Sequence, residues 1–250
     1  MAIMTYRREE QAAGMHGNLD LHESKPVGFY EDEGLLSPYS NILYWSHMSS
    51  GNGADTGEHS HKGFEIMTFV LNGEIEHYDN RYRGWKRLAA GDMQIIMAGN
   101  GYIHSERFLP STSVLQIWFD PDLEKTLNRP SSYSDFPSDR FPIRMEEGRS
   151  TKVYVGEGSR AVMQSPGVTI CEISLAEGKH VYNCPGNVFV SGFILEGDLE
   201  LRISDLDQYD FFIAKEEEKL EMNAKSDCRL FVVESPVDPG YPTYAGDYRM

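Results

Sequence analysis

Hydrophobic and polar residues follow a period of two along many short segments of this chain. Residues 41–48 alternate in this way, and apolar runs at 66–71, 93–98 and 114–119 have the length of buried strands. Glycine turns such as Gly73 separate neighbouring segments, and almost no segment has helical periodicity. The pattern predicts an all-β fold of antiparallel barrels or jelly rolls.

One segment of the first half recurs in the second half. Residues 70–76 line up with residues 194–200 at an offset of 124, and both run from apolar residues through a glycine into an acidic arm. Such a repeat predicts two structural copies. We therefore expect one barrel in residues 1–120 and a second, degenerate barrel in residues 149–235.

The remaining segments connect or extend the barrels. Residues 121–148 are rich in proline, contain a possible helix at Asp122–Leu127, and read as an ordered connection. Residues 236–250, rich in Pro, Gly and Tyr, are expected to lie on the surface as a tail.

Composition argues against several classes of protein. The longest apolar runs, about six residues, are too short for a membrane span. The net charge of −16 would repel a phosphate backbone, so we expect no direct nucleic-acid partner. The chain start lacks the pattern of a secretory signal, and the three cysteines form no Cys-x-x-Cys motif, which predicts a cytoplasmic protein.

Two pairs of metal-ligand residues stand out in the first half. His59 with His61, and His104 with Glu106, are each two residues apart, so each pair shares one face of a strand at about 6.6 Å spacing. A lone His-x-His pair is often only two solvated imidazoles. The second pair favours a site for a first-row divalent metal, which accepts imidazole and carboxylate ligands.

Glu65 is a competing carboxylate. On an unbroken strand it would lie about 13 Å from His61, so it could reach the metal only through a turn at residues 62–63. Glu106 needs no such turn. We therefore expect Glu106 to be the ligand and keep Glu65 as a residue behind the ligands or a general base.

The second copy has no equivalent metal pair, since the offset of 124 places Asn183 and Pro185 opposite His59 and His61. His180 is expected to be a loop residue. The nearby Cys184 leaves a weaker alternative of a site for a soft metal.

Several motifs resemble those of the pirin family, which are bicupins with a mononuclear metal in the amino-terminal barrel. Residues 57–65 are similar to one family motif, and residues 91–94 with 98–106 to another. Ser60 and Lys62 replace the Pro and Arg that are common in the family, which leaves the four ligand residues intact. The resemblance implies two tandem cupin jelly-roll barrels, and iron as the usual metal, with nickel, cobalt, copper and zinc as alternatives. The ligands it implies are His59, His61, His104 and Glu106.

The resemblance also implies an activity. A site of this kind can act as a quercetin 2,3-dioxygenase, with Glu106 or Glu65 taking the proton of a flavonol hydroxyl, and with residues 64–72 and 93–97 lining an apolar pocket for a small aromatic substrate. The alternative is a metal-dependent regulatory module that binds a protein partner and has no catalytic activity. A third hypothesis is that the barrel only stores metal.

Overall fold

The protein is built almost entirely from β-strands, which confirms the all-β prediction. A computed structural model describes residues 2–15, 20–29, 31–202 and 204–247. The strands of the first half are β1 (Ala2–Tyr6), β2 (Ala12–Met15), β3 (His22–Val27), β4 (Ile42–Ser50), β5 (Ala54–Asp55), β6 (His59–His61), β7 (Glu65–Asn72), β8 (Glu74–Asp79), β9 (Trp85–Ala89), β10 (Met93–Met97), β11 (Tyr102–Phe108) and β12 (Thr112–Phe119).

The second half continues in the same manner. Its strands are β13 (Ser132–Phe136), β14 (Ile143–Glu146), β15 (Arg149–Val155), β16 (Thr169–Leu175), β17 (Gly178–Asn183), β18 (Val188–Glu196), β19 (Leu199–Leu201), β20 (Ser204–Leu206), β21 (Phe211–Lys215), β22 (Lys219–Ala224) and β23 (Cys228–Pro236). The helices are α1 (Leu123–Thr126), at the place predicted, and α2 (Tyr244–Asp247), with 3-10 turns at Arg8–Glu10 and Ser138–Arg140. No helix in the described ranges could span a membrane.

The chain forms two compact units, and each takes one end of the chain from the opposite half. The amino-terminal unit contains Gln11–Arg140 and Tyr241–Met250, and the carboxy-terminal unit contains Met1–Glu10 and Phe141–Gly240. In the latter, β1 pairs with the whole of β21. The sequence boundaries at 120, 148 and 235 do not include this exchange of chain ends. The predicted tail includes α2, and its last three residues lie outside the described ranges.

Each unit consists of two antiparallel sheets with the same strand order. The large sheet runs β13-β10-β7-β12-β4-β3-β2 in the amino-terminal unit and β1-β21-β18-β23-β16-β15-β14 in the carboxy-terminal unit. The small sheets run β5-β11-β8-β9, with β6 also on β11, and β17-β22-β19-β20. This is the tandem jelly-roll architecture of a bicupin, as predicted.

The repeated glycine turn has a physical cause. Gly73, between β7 and β8, has a φ of +70°, and Gly197, between β18 and β19, has a φ of +79°. A side chain at Gly73 would also lie 2.8 Å from the Ser111 carbonyl oxygen, and one at Gly197 would overlap the Asp227 carbonyl oxygen. Only glycine fits both the conformation and the space.

The two interiors differ in polarity. In the carboxy-terminal unit, an apolar cluster of described residues that includes Leu199, Phe212 and Met222 fills the space between the two sheets. In the amino-terminal unit, the described residues include two apolar clusters with a polar level between them. One cluster contains Leu21, Met48, Val70, Ile75, Leu88, Phe108 and Val114, and the other contains Ile66, Ile96, Ala98, Tyr102 and Tyr133.

Candidate metal centre

A row of polar side chains crosses the large sheet of the amino-terminal unit at this level. Gln116 pairs with Ser46 on one side and with Thr68 on the other, and Thr68 pairs with Gln94. We call Ser46, Thr68, Gln94 and Gln116 the polar row. All four are buried. Since residues at matched positions of a sheet share a face, the row presents its polar groups together to the interior.

Three imidazoles meet opposite the polar row. His59 and His61 lie on β6, and His104 lies on β11 directly across from His59. The ring centroids are 4.4 Å apart for His59 and His104, 4.9 Å for His59 and His61, and 5.0 Å for His61 and His104. One nitrogen of each ring lies within 4.8 Å of the other two. The spacing is suitable for three ligands of one ion.

Electrostatics favour the neutral form that a metal requires. Burial, together with the neighbouring His59, lowers the pKa of His61 to about 4. Burial also lowers the pKa of His104, with His59 and His61 adding to the effect. Neutral imidazoles are ready to bind a cation without first losing a proton.

His104 provides the test of whether these residues fit a metal. It is 1% exposed, and neither ring nitrogen has a hydrogen-bond partner in the part of the chain that the structure describes. Buried polar atoms are nearly always satisfied, and leaving one unsatisfied costs roughly 1–3 kcal/mol. A divalent ion between His59, His61 and His104 would give one of these nitrogens a ligand bond, so the residues fit such an ion.

Glu106 is held by the polar row. Its Oε1 accepts a hydrogen bond of 2.5 Å from Gln94 Nε2 and one of 3.4 Å from Thr68 Oγ1, and its Oε2 accepts one of 2.9 Å from Gln116 Nε2. Burial raises the pKa of Glu106, whereas these donors lower it. Trp118 Nε1 donates to Gln116 Oε1 at 2.9 Å, which turns the amide so that its NH₂ group faces Glu106.

The structure adds a histidine that the sequence interpretation missed. His77 is fully buried on β8 and forms a second group of close donor atoms with His104 and Glu106. Its Nε2 lies 3.0 Å from the Tyr102 hydroxyl, and its ring stacks on Tyr133 at 4.3 Å. Burial lowers its pKa to about 4. The available signal was the concentration of histidines, seven of eight, in the first half of the sequence.

Glu65 does not join either group of donor atoms found among the described residues. The chain does turn at Gly63, where φ is +88°, as the alternative required. However, the turn leads into β7, where Glu65 lies three residues before Thr68 and therefore on the opposite face of the strand. The role of Glu65 as a base at this site has no geometric support.

A cavity of about 350 Å³ opens beside the imidazoles. Aromatic rings from three segments, Phe29, Tyr44 and Trp118, form its walls, with centroids 5.1–5.9 Å apart. The expectation that residues 64–72 and 93–97 line the pocket was wrong. Side chains such as Ile66 and Ile96 are sealed in an apolar cluster, and the cavity faces β3, β4 and β12 instead.

The lining of this cavity also includes a charged pair, Glu23 and Lys25. Glu23 is buried on β3 and accepts hydrogen bonds from the Tyr44 hydroxyl and from Ser46 Oγ at 2.8 Å. Lys25 Nζ lies 3.6 Å from the same carboxylate and 2.7 Å from Asp32. Neither Glu23 nor Lys25 was identified from the sequence, since they precede the metal motifs and belong to no recognisable pattern.

The strand register shows which residues of the carboxy-terminal unit occupy the positions of the proposed metal ligands. Superposition of the two glycine hairpins makes Leu199 the equivalent of Ile75. Ile75 pairs with Phe108 of β11, and Leu199 pairs with Ala224 of β22. Strand β11 therefore matches β22 at an offset of 116, which places Leu220 and Met222 at the positions of His104 and Glu106. The residue paired with Leu220 is Tyr182, the counterpart of His59, and Cys184 is the counterpart of His61.

The constant sequence offset of 124 had placed Asn183 and Pro185 at the positions of His59 and His61. Register corrects this by one residue, because the amino-terminal unit has one more residue between β5 and β6. Both groups of potential ligands within the described residues lie in the amino-terminal unit. The prediction of a loop at His180 was also wrong, because it lies in β17, with Nε2 2.8 Å from the Ala176 carbonyl oxygen.

The amino-terminal half of the chain is similar to a known protein family. Residues 25–119 match the family model described as Pirin. This region of the chain is a pirin domain. The matched region contains every residue of the three-imidazole group, the polar row and Glu106, so the pirin domain includes the whole candidate metal centre.

Similarity to relatives and solved structures covers both barrels. A candidate quercetin 2,3-dioxygenase of Pseudomonas aeruginosa is 27% identical over 235 residues, which cover 88% of this chain and 93% of the relative. Quercetin 2,3-dioxygenase of Escherichia coli is 34% identical over 125 residues, 48% of this chain and 53% of the relative. The crystal structure of the bacterial pirin YhhW of Escherichia coli in complex with nickel(II) superimposes with a TM-score of 0.78 at 22% identity, covering 94% and 99% of the two chains. The protein has a pirin domain and a bicupin fold, and its groups of close donor atoms suit a metal ion.

Proposed function

We propose that the protein is an iron-dependent dioxygenase that opens the ring of a flavonol or a similar small aromatic hydroxyl compound. The observation that carries the proposal is the enclosed pair of unpartnered nitrogens on His104, next to a cavity walled by aromatic rings. Quercetin 2,3-dioxygenase is also the name of a relative of this chain from Escherichia coli.

His59, His61, His104 and Glu106 would hold the ion. Three neutral nitrogens and one carboxylate oxygen suit iron, and also nickel, cobalt, copper or zinc, and leave one or two positions open. A divalent ion bound there supplies Lewis acidity and an open coordination position. We propose iron as the native metal because the family resemblance implies it.

The protein's own residues would position the substrate and handle its proton. Phe29, Tyr44 and Trp118 would stack on the aromatic rings and exclude water from the reacting hydroxyl. Glu106 would accept the hydroxyl proton, since its burial raises its pKa towards that of a general base. Gln94 and Gln116 would keep its carboxylate aimed at the site. Both atoms of dioxygen would enter the opened ring, and the substrate would supply the electrons.

Oxygen consumption tests this function. Protein loaded anaerobically with Fe(II) is mixed with quercetin, and flavonol absorbance and dissolved oxygen are followed after air is admitted. We expect both to fall together, and His59→Ala to abolish the reaction, whereas His180→Ala in the other unit should not. A protein that retains stoichiometric metal but consumes no oxygen would contradict the enzyme and favour the regulatory, partner-binding alternative.

A further inference from the structure

The carboxy-terminal unit has a cavity of its own at the same place in the jelly roll. Its volume is about 430 Å³. Register matches four of its lining residues to lining residues of the aromatic cavity. The matched pairs are Thr151 with Glu23, Thr169 with Tyr44, Tyr182 with His59, and Glu234 with Trp118. The second barrel thus has other residues at the positions of the proposed metal ligands, and its cavity has a different chemistry.

The Glu234 carboxylate supplies this cavity with a buried hydrogen-bond acceptor. Glu234 is 9% exposed, and its Oε1 accepts a hydrogen bond of 2.6 Å from the buried Tyr182 hydroxyl. Cys171 lies beside them, and burial, with a contribution from Glu234, raises the pKa of its thiol to about 12. A neutral thiol is a poor nucleophile, so the cavity is suited to binding rather than to covalent catalysis.

The cavity wall includes the cationic side chain of Arg149, which has donor groups beyond those it uses within the protein. The Arg149 guanidinium lies 5.4 Å from the ring centre of Tyr182. Its Nε donates to Thr151 at 3.3 Å and its Nη1 to the Val181 carbonyl oxygen at 3.4 Å. A guanidinium has five N–H donors, so three of them have no hydrogen bond to the residues that the structure describes. At the rim, Arg144 is already paired with Glu157 at 2.8 Å.

We infer that this cavity binds a small hydroxylated monocarboxylate of sugar-acid type, with its carboxylate on Arg149 and a hydroxyl donating to Glu234. A guanidinium matches a planar carboxylate in two hydrogen bonds. A neutral sugar would leave those donors without an anionic partner. An apolar acid would cover the Glu234 carboxylate without giving it a donor, which is unfavourable.

Calorimetric titration of the metal-loaded full chain with gluconate tests the inference, with glucose and hexanoate as matched probes that lack the carboxylate or the hydroxyls. Gluconate should bind saturably, and each of the other two at least about tenfold more weakly. Arg149→Met should weaken gluconate binding by a similar factor. Lys179→Met removes an exposed cation from the outer face of β17 and should leave binding unchanged.

Three results would overturn the inference. These are no saturable heat with gluconate, equal affinity for hexanoate or glucose, and equal effects of the two cation substitutions. The comparison of the three probes uses the unmodified protein, so it decides the matter even where Arg149→Met impairs folding. Metal content and thermal midpoint are measured on both variants to show that the amino-terminal unit is intact.

Discussion

The ring of Phe212 lies directly over Gly192, so closely that a Cβ on the glycine would overlap it. In the amino-terminal unit the register-equivalent positions are Gln94 and Thr68, which hold the Glu106 carboxylate. The same two positions therefore hold Glu106 at the candidate metal centre in one barrel and fill the corresponding space with an aromatic ring in the other.

Gly192→Ala should destabilise the protein, since the added methyl group must displace a buried ring. Overpacking of this kind costs about 1–3 kcal/mol. Urea denaturation of the variant measures the loss. Gly186→Ala is the matched control, because nothing lies within 4 Å of a Cβ at that glycine. Equal midpoints for the two variants would mean that Phe212 moves aside without cost.

Gln116→Leu should weaken metal binding by about 10–100-fold, the usual effect of losing a group that orients a ligand. The substitution removes the hydrogen bond to Glu106 Oε2 and leaves all four proposed ligands in place. Competition with a chelator measures the affinity. Trp118→Phe, which removes the N–H that orients the Gln116 amide but keeps an aromatic ring at this position, should have a smaller effect in the same direction. Unchanged affinity in Gln116→Leu would show that Glu106 is positioned by other contacts.

His104 and His77 should respond differently to substitution. His104→Gln should lose most of the bound metal, since this residue belongs to both groups of donor atoms. His77→Gln should retain the metal, because His59, His61, His104 and Glu106 remain, but should be less stable, because the Tyr102 hydroxyl loses its ring-nitrogen partner. Elemental analysis and thermal unfolding separate the two effects. Metal loss in His77→Gln would assign the ion to the deeper group.

The metal-free protein should lose stability as the pH falls from about 6.5 to about 4. In that interval the unfolded chain binds a proton at His61 that the folded chain, with its pKa lowered to about 4, does not bind. Between pH 6.5 and pH 5 this one group accounts for roughly 1.5 kcal/mol. Urea denaturation at several pH values, with His61→Gln as the comparison, measures the difference. Parallel pH profiles for the two proteins would contradict the assigned shift.

Local rules predicted most of the fold, since alternation, glycine turns and the repeat around Gly73 and Gly197 depend on short stretches of sequence. The proposed ligands were also accessible to sequence reasoning because His-x-His and His-x-Glu are local patterns. Glu23, His77 and the filling of the second barrel by Phe212 were not, since each depends on pairing between distant strands. The one-residue error at Tyr182 had the same origin, because register was inferred from a constant offset.

The exchange of chain ends has a practical consequence for dissecting the protein. A cut after residue 140 would leave the pirin barrel without its last ten residues and still carrying β1, and would deprive the second barrel of the strand at the edge of its large sheet. Neither half can be excised as one contiguous piece. The start of the chain also finds its partner only when residues 211–215 have been synthesised, so the second barrel is finished last although its first strand is made first.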